Sequence, residues 1–576
     1  MSSGWQDRGK WGGFKPTPES IPPSGVVFRF RSDARKIPVN VTPLNPINFL
    51  LRAAFIVPNK LAIAHPDVPH PSFYTFAVWA QRVQNLAYAL IERGIQPGDR
   101  VAVIAPNSPM IADAHHAIIA ARAVITPINI RLTKDSVDYI LEHSGSKVIL
   151  VDHAFVHLVE NAKVPVIVCN DTGRPDDPYE QLLASGRRFS RERGWLGLDM
   201  EMNEDAAASL CYTSGTTGRP KGVISTLRGS YLAAIANAYE TRMDRNSIYL
   251  WILPMFHACG WTYPWAITFA FSTQITIRSA DPDLIWHHII NSGVTHYCAA
   301  PLSSIISSHR ARRLDDSRSI TAVVAGAAPT SSLIGQLEKL KIRVTHVYGL
   351  TLAKLSSFEV CSETYGPFTR NYHRPAREVD ETKGLADEDS RIMARQGHAF
   401  VTSDEARVVY QAKEGDPEDA ELKDVPDDGV TRGEVVVRGN IKNRFTSIIA
   451  IPRPRRKHFA EVILGVAIWL FRNPDGSIMI LDRIKDLIIS GGENASSLSI
   501  EQELSRHPDV LEVTVEDSTF RPKDRHAAFE KELKKYAAQV LPGFARPEWV
   551  EVVDELPKTS TGKVLKHVLR GRAAKL

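Results

Sequence analysis

The residues with the clearest capacity for chemistry form one short stretch, residues 212–222, which reads Tyr-Thr-Ser-Gly-Thr-Thr-Gly-Arg-Pro-Lys-Gly. It holds three glycines, three threonines, one serine and two cations, and it has no acidic side chain. Glycines let the backbone turn its N–H groups towards a ligand, while the hydroxyls, Arg219 and Lys221 add donors and positive charge. These groups suit a polyphosphate, although the spacing differs from that of a P-loop. An ordinary Gly/Thr-rich turn is the alternative interpretation.

The elements around this loop alternate between two apolar patterns. Residues 206–212 are short and mostly apolar, which predicts a buried strand that ends at the loop. Similar strand patterns occur at 100–105, 124–128, 148–151, 164–169, 248–253 and 320–325. Helical spacing occurs between them at 76–94, 111–121 and 227–239. Strands that alternate with helices predict an α/β protein with a largely parallel sheet covered on both faces.

The composition is that of a globular protein. The chain has 576 residues, 43% of them hydrophobic, which suggests roughly three or four structural units. A net charge of +5 is small for this length and argues against a nucleic-acid partner. The five cysteines are far apart in sequence, without a C-x-x-C pair, which argues against a disulfide framework or a zinc site. No uninterrupted apolar run reaches 18 residues, so we predict no transmembrane segment.

A second candidate loop lies near the C-terminus, where residues 557–563 read Pro-Lys-Thr-Ser-Thr-Gly-Lys. A lysine in a Ser/Thr/Gly loop can reach a phosphate and a carboxylate together and neutralise the charge that develops during displacement at phosphorus. Lys563 is therefore the candidate catalytic cation. The alternative is a solvated side chain, which is how we interpret Lys566 and Lys575.

Residues 212–222 resemble the phosphate loop of the adenylate-forming superfamily, which includes acyl-CoA synthetases, firefly-luciferase-like enzymes and peptide-synthetase adenylation domains. The resemblance covers roughly residues 45–570, and residues 254–261, 294–301 and 489–497 also carry it. It implies a large N-terminal domain of two doubly wound α/β subdomains plus a small β-barrel, followed by a small mobile C-terminal α/β lid. We therefore expect a flexible tail over 1–44, an AMP-binding domain over 45–481 and a shortened lid over 482–576.

The resemblance also implies roles for individual residues and the substrates ATP and coenzyme A with Mg²⁺. Catalysis is assigned to Lys563, Thr213 and His257, and metal binding to Thr216 and Glu363. The residues assigned to nucleotide binding are Thr213, Ser214, Gly215, Thr216, Thr217, Gly218, Lys221, Gly326, Ala327, Ala328, Pro329, Tyr348, Gly349, Thr351, Arg483 and Lys485.

His257 stands in an apolar, aromatic stretch with Trp251, Phe256 and Trp261. A histidine in such surroundings is more often a satisfied core residue than a functional one, and that interpretation stays open. The resemblance implies that this position gates the acyl pocket. The small and aromatic neighbours suggest an acid of modest size, of the short- to medium-chain or aromatic type.

Three departures from the family pattern leave alternatives open. Eleven residues, 352–362, separate Thr351 from Glu363, which the family pattern places next to each other. The family pattern places an Asp whose carboxylate binds the ribose near Ile468, yet no Asp occurs from 441 to 474. A Trp-Gly-Glu signature near the CoA channel is missing from 512–529. A nucleotide-binding pseudoenzyme, or a misplaced splice boundary in the gene model, would each explain them. A peptide-synthetase module is less favoured.

The sequence therefore predicts an ATP-dependent acid–CoA ligase that adenylates a carboxylic acid and transfers the acyl group to CoA. Its partners are the acid and CoA, with no nucleic acid. The last three residues, Ala-Lys-Leu, are close to the Ser-Lys-Leu peroxisomal signal. We predict a peroxisomal or cytoplasmic location.

Overall fold

The structure is a computed structural model that describes most of the chain. The described residues are 11–30, 41–212, 220–299, 318–325, 329–349, 367–373, 387–410, 422–436, 468–483, 487–490, 493–510, 512–515, 527–553, 556–557, 564, 566 and 568–569.

Strands and helices alternate through most of the described chain, as the sequence patterns predict. The strands are β1 Leu61–His65, β2 Ser72–Thr75, β3 Arg100–Ile104, β4 Val124–Pro127, β5 Val148–Asp152, β6 Val166–Cys169, β7 Ala207–Tyr212, β8 Gly222–Thr226, β9 Ile248–Trp251, β10 Thr273–Thr276, β11 His296–Ala299, β12 Ile320–Val324, β13 Ile342–Tyr348, β14 Thr369–Arg370, β15 His398–Ala399, β16 Arg407–Val409, β17 Glu434–Val436, β18 Ile468–Arg472, β19 Ile478–Arg483, β20 Leu487–Ser490 and β21 Glu493–Ser496.

The helices are α1 Ile47–Ile56, α2 Phe76–Glu92, α3 Pro109–Ala120, α4 Lys134–Ser144, α5 Pro178–Arg193, α6 Leu227–Glu240, α7 Tyr263–Phe269, α8 Pro282–Asn291, α9 Ser331–Lys339, α10 Asp387–Met393, α11 Ser497–Leu504 and α12 Ala527–Val540. Several begin at side-chain caps of the kind that satisfy the first backbone N–H groups. Thr226 accepts from Gly229 at the start of α6, and Asp281 accepts from Leu284 at the start of α8, where Pro282 follows the cap. Among the described residues, no helix is both long and apolar enough to cross a membrane.

Two sheets form the body of the protein. A six-stranded sheet has the order β6-β5-β3-β4-β7-β8 and is parallel except for β8. A nine-stranded sheet has the order β15-β14-β13-β12-β11-β9-β10-β1-β2, with its six central strands parallel. Strands such as β1, β5 and β9 are buried along their whole length, which is typical of parallel strands covered on both faces.

The chain passes between the two sheets instead of completing one before the other. Strands β1 and β2 belong to the nine-stranded sheet, where Ile63 pairs with Gln274. The chain then builds the whole six-stranded sheet and returns at β9. Strands β7 and β8 therefore complete the six-stranded sheet, while β9 to β12 belong to the nine-stranded sheet.

Shorter antiparallel ribbons follow the nine-stranded sheet. The β16–β17 and β18–β19 ribbons are joined by a bridge between Gly433 and Leu470 and share a small apolar core with Phe368. These ribbons lie where the small β-barrel is predicted. The C-terminal region has the β20–β21 ribbon and a separate core between α11 and α12.

Part of the N-terminal segment packs on the body, so the prediction of a flexible tail is wrong for residues 11–30. Trp11 stacks on Phe73 with ring centroids 5.7 Å apart, and Phe30 lies edge-on to Trp195. The aromatic side chains in this otherwise polar stretch were the signal for packing, since burying them stabilises the attachment.

Lys566 is also placed differently from the prediction of a solvated side chain. Its Nζ lies 2.7 Å from Glu501 Oε1 and 2.6 Å from Ser497 Oγ, and both charged side chains are largely buried. This ion pair fastens the C-terminal end of the chain to α11.

Candidate functional site

The predicted phosphate loop connects two neighbouring antiparallel strands. Strand β7 ends at Tyr212, β8 begins at Gly222, and these two residues are Cα partners in the ladder. The nine residues between them therefore begin and end at one point on the edge of the six-stranded sheet. A side chain at Gly222 would place its Cβ 2.9 Å from Leu210 Cδ1 and 3.3 Å from the Tyr212 ring, so these side chains would have to shift to admit it.

Tyr212 is held firmly at the entrance to the loop. Its hydroxyl lies 2.7 Å from Nδ1 of His143 on α4, and the two rings meet edge to face. Burial raises the pKa of Tyr212 well above its ordinary value, so the phenol stays protonated. Lys221, on the other side of the loop, is exposed. The strand pair therefore fixes both ends of the loop.

A second group of predicted residues follows the parallel strands of the nine-stranded sheet. Pro329 and Gly349 come just after β12 and β13, which are adjacent in the sheet, and Tyr348 is the last residue of β13. Thr330 caps α9 by accepting from the N–H of Leu333. Ligands in open α/β sheets bind at the carboxyl ends of the strands. Pro329, Tyr348 and Gly349, which are predicted to bind the nucleotide, lie at such an edge.

His257 begins a 3₁₀ turn, His257–Thr262, that follows β9 and has an unusual backbone. Four consecutive residues, Cys259, Gly260, Trp261 and Thr262, have φ between 46° and 69°. For residues other than glycine this left-handed conformation costs about 1–2 kcal/mol each. The Cβ of a side chain at Gly260 would meet the Trp251 ring at 3.0 Å, so the buried ring would have to shift as well. Strain of this kind is concentrated at functional sites.

Two asparagines hold this turn and the loop before it in place. Asn237 of α6 donates to the Trp261 carbonyl at 3.2 Å and to Thr262 Oγ1 at 2.7 Å. Asn107 follows β3 of the six-stranded sheet; it donates to the Trp251 carbonyl at 2.9 Å and accepts from the Met255 N–H at 2.8 Å. Asn107 thereby joins the carboxyl ends of β3 and β9. The sequence analysis assigned neither residue a role, and the polar residues that directly follow the buried β3 strand were the only local signal for Asn107.

A cysteine pair connects the turn to the strand that carries the phosphate loop. Cys211 is the penultimate residue of β7, Cys259 lies in the turn, and their Sγ atoms are 2.9 Å apart. The two cysteines are 48 positions apart in sequence, so their spacing gave no indication of contact. The structure therefore brings the end of β7 and the His257 turn together.

Aromatic side chains surround this turn. Trp251, Phe256 and Trp261 are all buried, and Trp251 Nε1 donates to Gln274 Oε1 at 2.7 Å. His257 is itself 9% exposed, which fits a position at the boundary between this aromatic cluster and the candidate site. Large rings limit the space that is left for an acyl chain.

Many predicted site residues lie outside the described residues, and their assignments remain predictions. They are Thr213, Ser214, Gly215, Thr216, Thr217, Gly218, Gly326, Ala327, Ala328, Thr351, Glu363, Lys485 and Lys563. Arg483 ends β19, where it is the Cα partner of Ile468. The position at which the resemblance expects a ribose-binding carboxylate thus holds an aliphatic residue opposite Arg483.

The fold defines a class of protein, an α/β protein in which a glycine-rich segment connects the neighbouring strands β7 and β8 of the six-stranded sheet. The family model described as AMP-binding enzyme matches residues 52–443, and the model of its C-terminal domain matches residues 499–563. The chain belongs to the AMP-binding enzyme family. The predicted membership of the adenylate-forming superfamily and the α/β fold are confirmed.

Characterised relatives match the chain over nearly its whole length. An acetate–CoA ligase from Humulus lupulus is 34% identical over 96% of this chain and 98% of its own. A peroxisomal acetate/butyrate–CoA ligase from Arabidopsis thaliana is also 34% identical, over 95% and 98%. ATP-bound MatB from Rhodopseudomonas palustris has the same fold, with a TM-score of 0.72, 22% identity and coverage of 92% and 99%. The prediction of an acyl-CoA ligase is therefore supported, and nothing in these relatives favours a pseudoenzyme.

Proposed function

We propose that this protein activates a small carboxylic acid with ATP and transfers the acyl group to coenzyme A. The observation that carries the proposal is the contact between the end of β7 and the His257 turn. It supports a site in which the predicted phosphate loop begins beside the buried rings of Trp251, Phe256 and Trp261. In the first step the acid's carboxylate attacks the α-phosphorus, which forms the acyl-adenylate and releases pyrophosphate. In the second step the CoA thiol attacks the acyl carbon and AMP leaves.

The phosphate loop and Lys221 are proposed to hold the β- and γ-phosphates, and Lys563 to neutralise the charge that develops at the α-phosphorus. Thr216 and Glu363 are proposed to bind Mg²⁺, because hydroxyl and carboxylate oxygens are the ligands this cation prefers. When bound, Mg²⁺ would neutralise charge on the phosphates. Arg483 and Lys485 are proposed to bind the nucleotide and to form the hinge between residues 45–481 and 482–576.

The substrate is proposed to be a short-chain or small aromatic acid. Three buried rings, Trp251, Phe256 and Trp261, surround the turn that begins at His257. Relatives are named as ligases for acetate, butyrate, 2-methylpropanoate and benzoate. Replacing His257 with alanine should raise KM for the acid much more than KM for ATP. The same change at exposed His287 on α8 is the matched control and should alter neither.

The test uses the full-length protein, ATP, Mg²⁺ and a panel of acetate, butyrate, hexanoate and benzoate. Pyrophosphate release, hydroxylamine trapping of the acyl-adenylate and acyl-CoA formation are measured separately. We expect all three with at least one short or aromatic acid, and K563M should lose pyrophosphate release while K575M keeps it. A folded protein that binds ATP but releases no pyrophosphate with any acid would refute the proposal. Hydroxamate without acyl-CoA would refute only the transfer to CoA.

The location is proposed to be the peroxisome. The C-terminal Ala-Lys-Leu is close to a peroxisomal signal, and several relatives are named as peroxisomal plant enzymes. A fluorescent protein fused before Met1 should reach peroxisomes, and removal of the last three residues should return it to the cytosol. Cytosolic fluorescence of both fusions would refute the proposed location.

A further inference from the structure

Cys211 and Cys259 form a close, buried pair of thiols beside the proposed active site. Their exposures are 2% and 0%, and their Sγ atoms are 2.9 Å apart. Neither cysteine has a role in the proposed reaction. Cys211 directly precedes Tyr212, where the phosphate loop begins, and Cys259 lies two residues after His257. Any covalent change at this pair therefore acts on both parts of the site.

The distance between the sulfurs favours a disulfide over a shared metal ion. Two thiolates on one tetrahedral zinc, each about 2.3 Å from the metal, would be roughly 3.8 Å apart. A disulfide bond is about 2.05 Å long, so the sulfurs have to approach by only about 0.9 Å. The described cysteines are all free, so this is the reduced form of the pair.

The two thiols of the pair differ in acidity. Burial alone would raise the pKa of the Cys259 thiol, but its hydrogen bond with Cys211 and the charge of the nearby His115 ring lower it below its ordinary value. The pKa of Cys211 is raised, first by its hydrogen bond with Cys259 and then by burial. Cys259 is therefore the more acidic thiol of the pair, and Cys211 is the one that holds its proton more firmly.

The backbone at Cys259 transmits small movements to the site. The left-handed residues 259–262 are held by Asn237 and packed against Trp251, so the turn has little freedom to absorb a displacement. Movement of Cys259 towards β7 would shift His257 or the start of the phosphate loop. A misplacement of about 1 Å can reduce turnover about a hundredfold.

We propose that Cys211 and Cys259 form a reversible redox centre that a hydroperoxide oxidises to a disulfide, which switches the adjacent active site off. The Cys259 thiolate attacks the peroxide oxygen, which forms a sulfenic acid and releases an alcohol, or water when the oxidant is hydrogen peroxide. The Cys211 thiol then attacks the Cys259 sulfur, which forms the S–S bond and releases water. Two thiols lose two electrons and two protons, and the peroxide gains them. Formation of the disulfide is independent of the proposed function, and only the effect of the disulfide on activity rests on that function.

The experiment treats the full-length protein with hydrogen peroxide and follows thiols, masses and activity. Reactive thiols in the denatured protein should fall from five to three. Non-reducing peptide mapping should show a linked pair of Cys211 and Cys259 peptides that is lighter by two hydrogen atoms. Pyrophosphate release should fall about a hundredfold and recover with dithiothreitol. The linked peptides are measured without turnover, so failure of the redox proposal and failure of the proposed function are distinguishable.

Three variants make the proposal falsifiable. C259A should fold, form no linked pair and keep its activity in peroxide; alanine at 259 has the same Cβ and adds no backbone strain. C211A should fold and form no linked pair. C298A removes another buried cysteine and should behave as the wild type. Sulfinic acid at Cys259 without the linked peptides would overturn the proposed disulfide. Equal inactivation of C259A and the wild type would overturn the proposed switch.

Discussion

Replacing His116 with asparagine should remove part of the protein's sensitivity to acid. His116 lies on α3, whose residues are all buried, and its Nδ1 donates to the Ala112 carbonyl at 3.1 Å. Its ring meets Trp79 edge to face at 4.8 Å. Burial lowers the pKa of His116 to about 3, because protonation would place a charge in the core.

The size of the effect is set mainly by the unfolded chain. A histidine there has a pKa of about 6.5, so the unfolded state binds the proton between pH 6.5 and 3 while the folded state does not. Stability is therefore lost as pH falls through 6.5. From pH 7 to pH 5 the loss is about 2 kcal/mol, at about 1.4 kcal/mol per pH unit below 6.5. A folded-state pKa anywhere below 4 gives nearly the same value.

The assay is urea unfolding at pH 7 and pH 5, followed by tryptophan fluorescence, for wild type, H116N and H157N. Asparagine can still donate to the Ala112 carbonyl. Its smaller size lowers the free energy of unfolding at both pH values, and this cost cancels because the value of each variant at pH 5 is compared with its own value at pH 7. H116N should lose about 2 kcal/mol less than wild type on acidification. Exposed His157 is the control and should behave as wild type. An identical loss in H116N and wild type would refute a buried, neutral His116.

Two further predictions concern buried ion pairs. Arg82 is fully buried between Asp113, at 3.0 Å, and Glu180, at 2.8 Å. R82M should therefore lower the free energy of unfolding by about 3–5 kcal/mol in urea titrations, and adding E180Q should recover part of it; a loss below about 1 kcal/mol would contradict this. K566M leaves the Glu501 carboxylate buried, so hydrogen exchange should accelerate in α11 by an amount equivalent to about 3 kcal/mol, with the six-stranded sheet unchanged. Unchanged exchange in α11 would show that the ion pair contributes nothing.

Much of the local structure was predictable because its signals are local. Residues 100–105 are a short apolar run and form β3, while residues 227–239 have helical spacing and form α6. The membership of β1 in the nine-stranded sheet was not predictable in this way. Its partner Gln274 is more than 200 positions away, and sheet pairing is decided by packing that no single window contains.

The candidate site also combines features that the sequence predicts with features that it does not. The composition of residues 212–222 predicts the phosphate chemistry, since glycines, hydroxyls and cations act through their own backbone and side chains. The contact between Cys211 and Cys259, and the anchoring role of Asn107, depend on how two sheets pack. A single cysteine or asparagine can have many different roles, so its position in the sequence alone does not identify the role.

The residues that join the two sheets explain why the site draws on both. Arg278, just after β10, donates to Asp152 at the end of β5 at 2.7 Å and to Asp171, just after β6, at 2.6 Å. His65, the last residue of β1, lies 3.0 Å from Asp171, and Asn107 makes the corresponding connection after β3. All five residues lie at or just beyond the carboxyl ends of parallel strands. The carboxyl ends of parallel strands, where open α/β sheets bind ligands, therefore meet between the two sheets. In the proposed reaction this contact would let the segment that follows β7 and the turn that follows β9 act together on ATP and the acid.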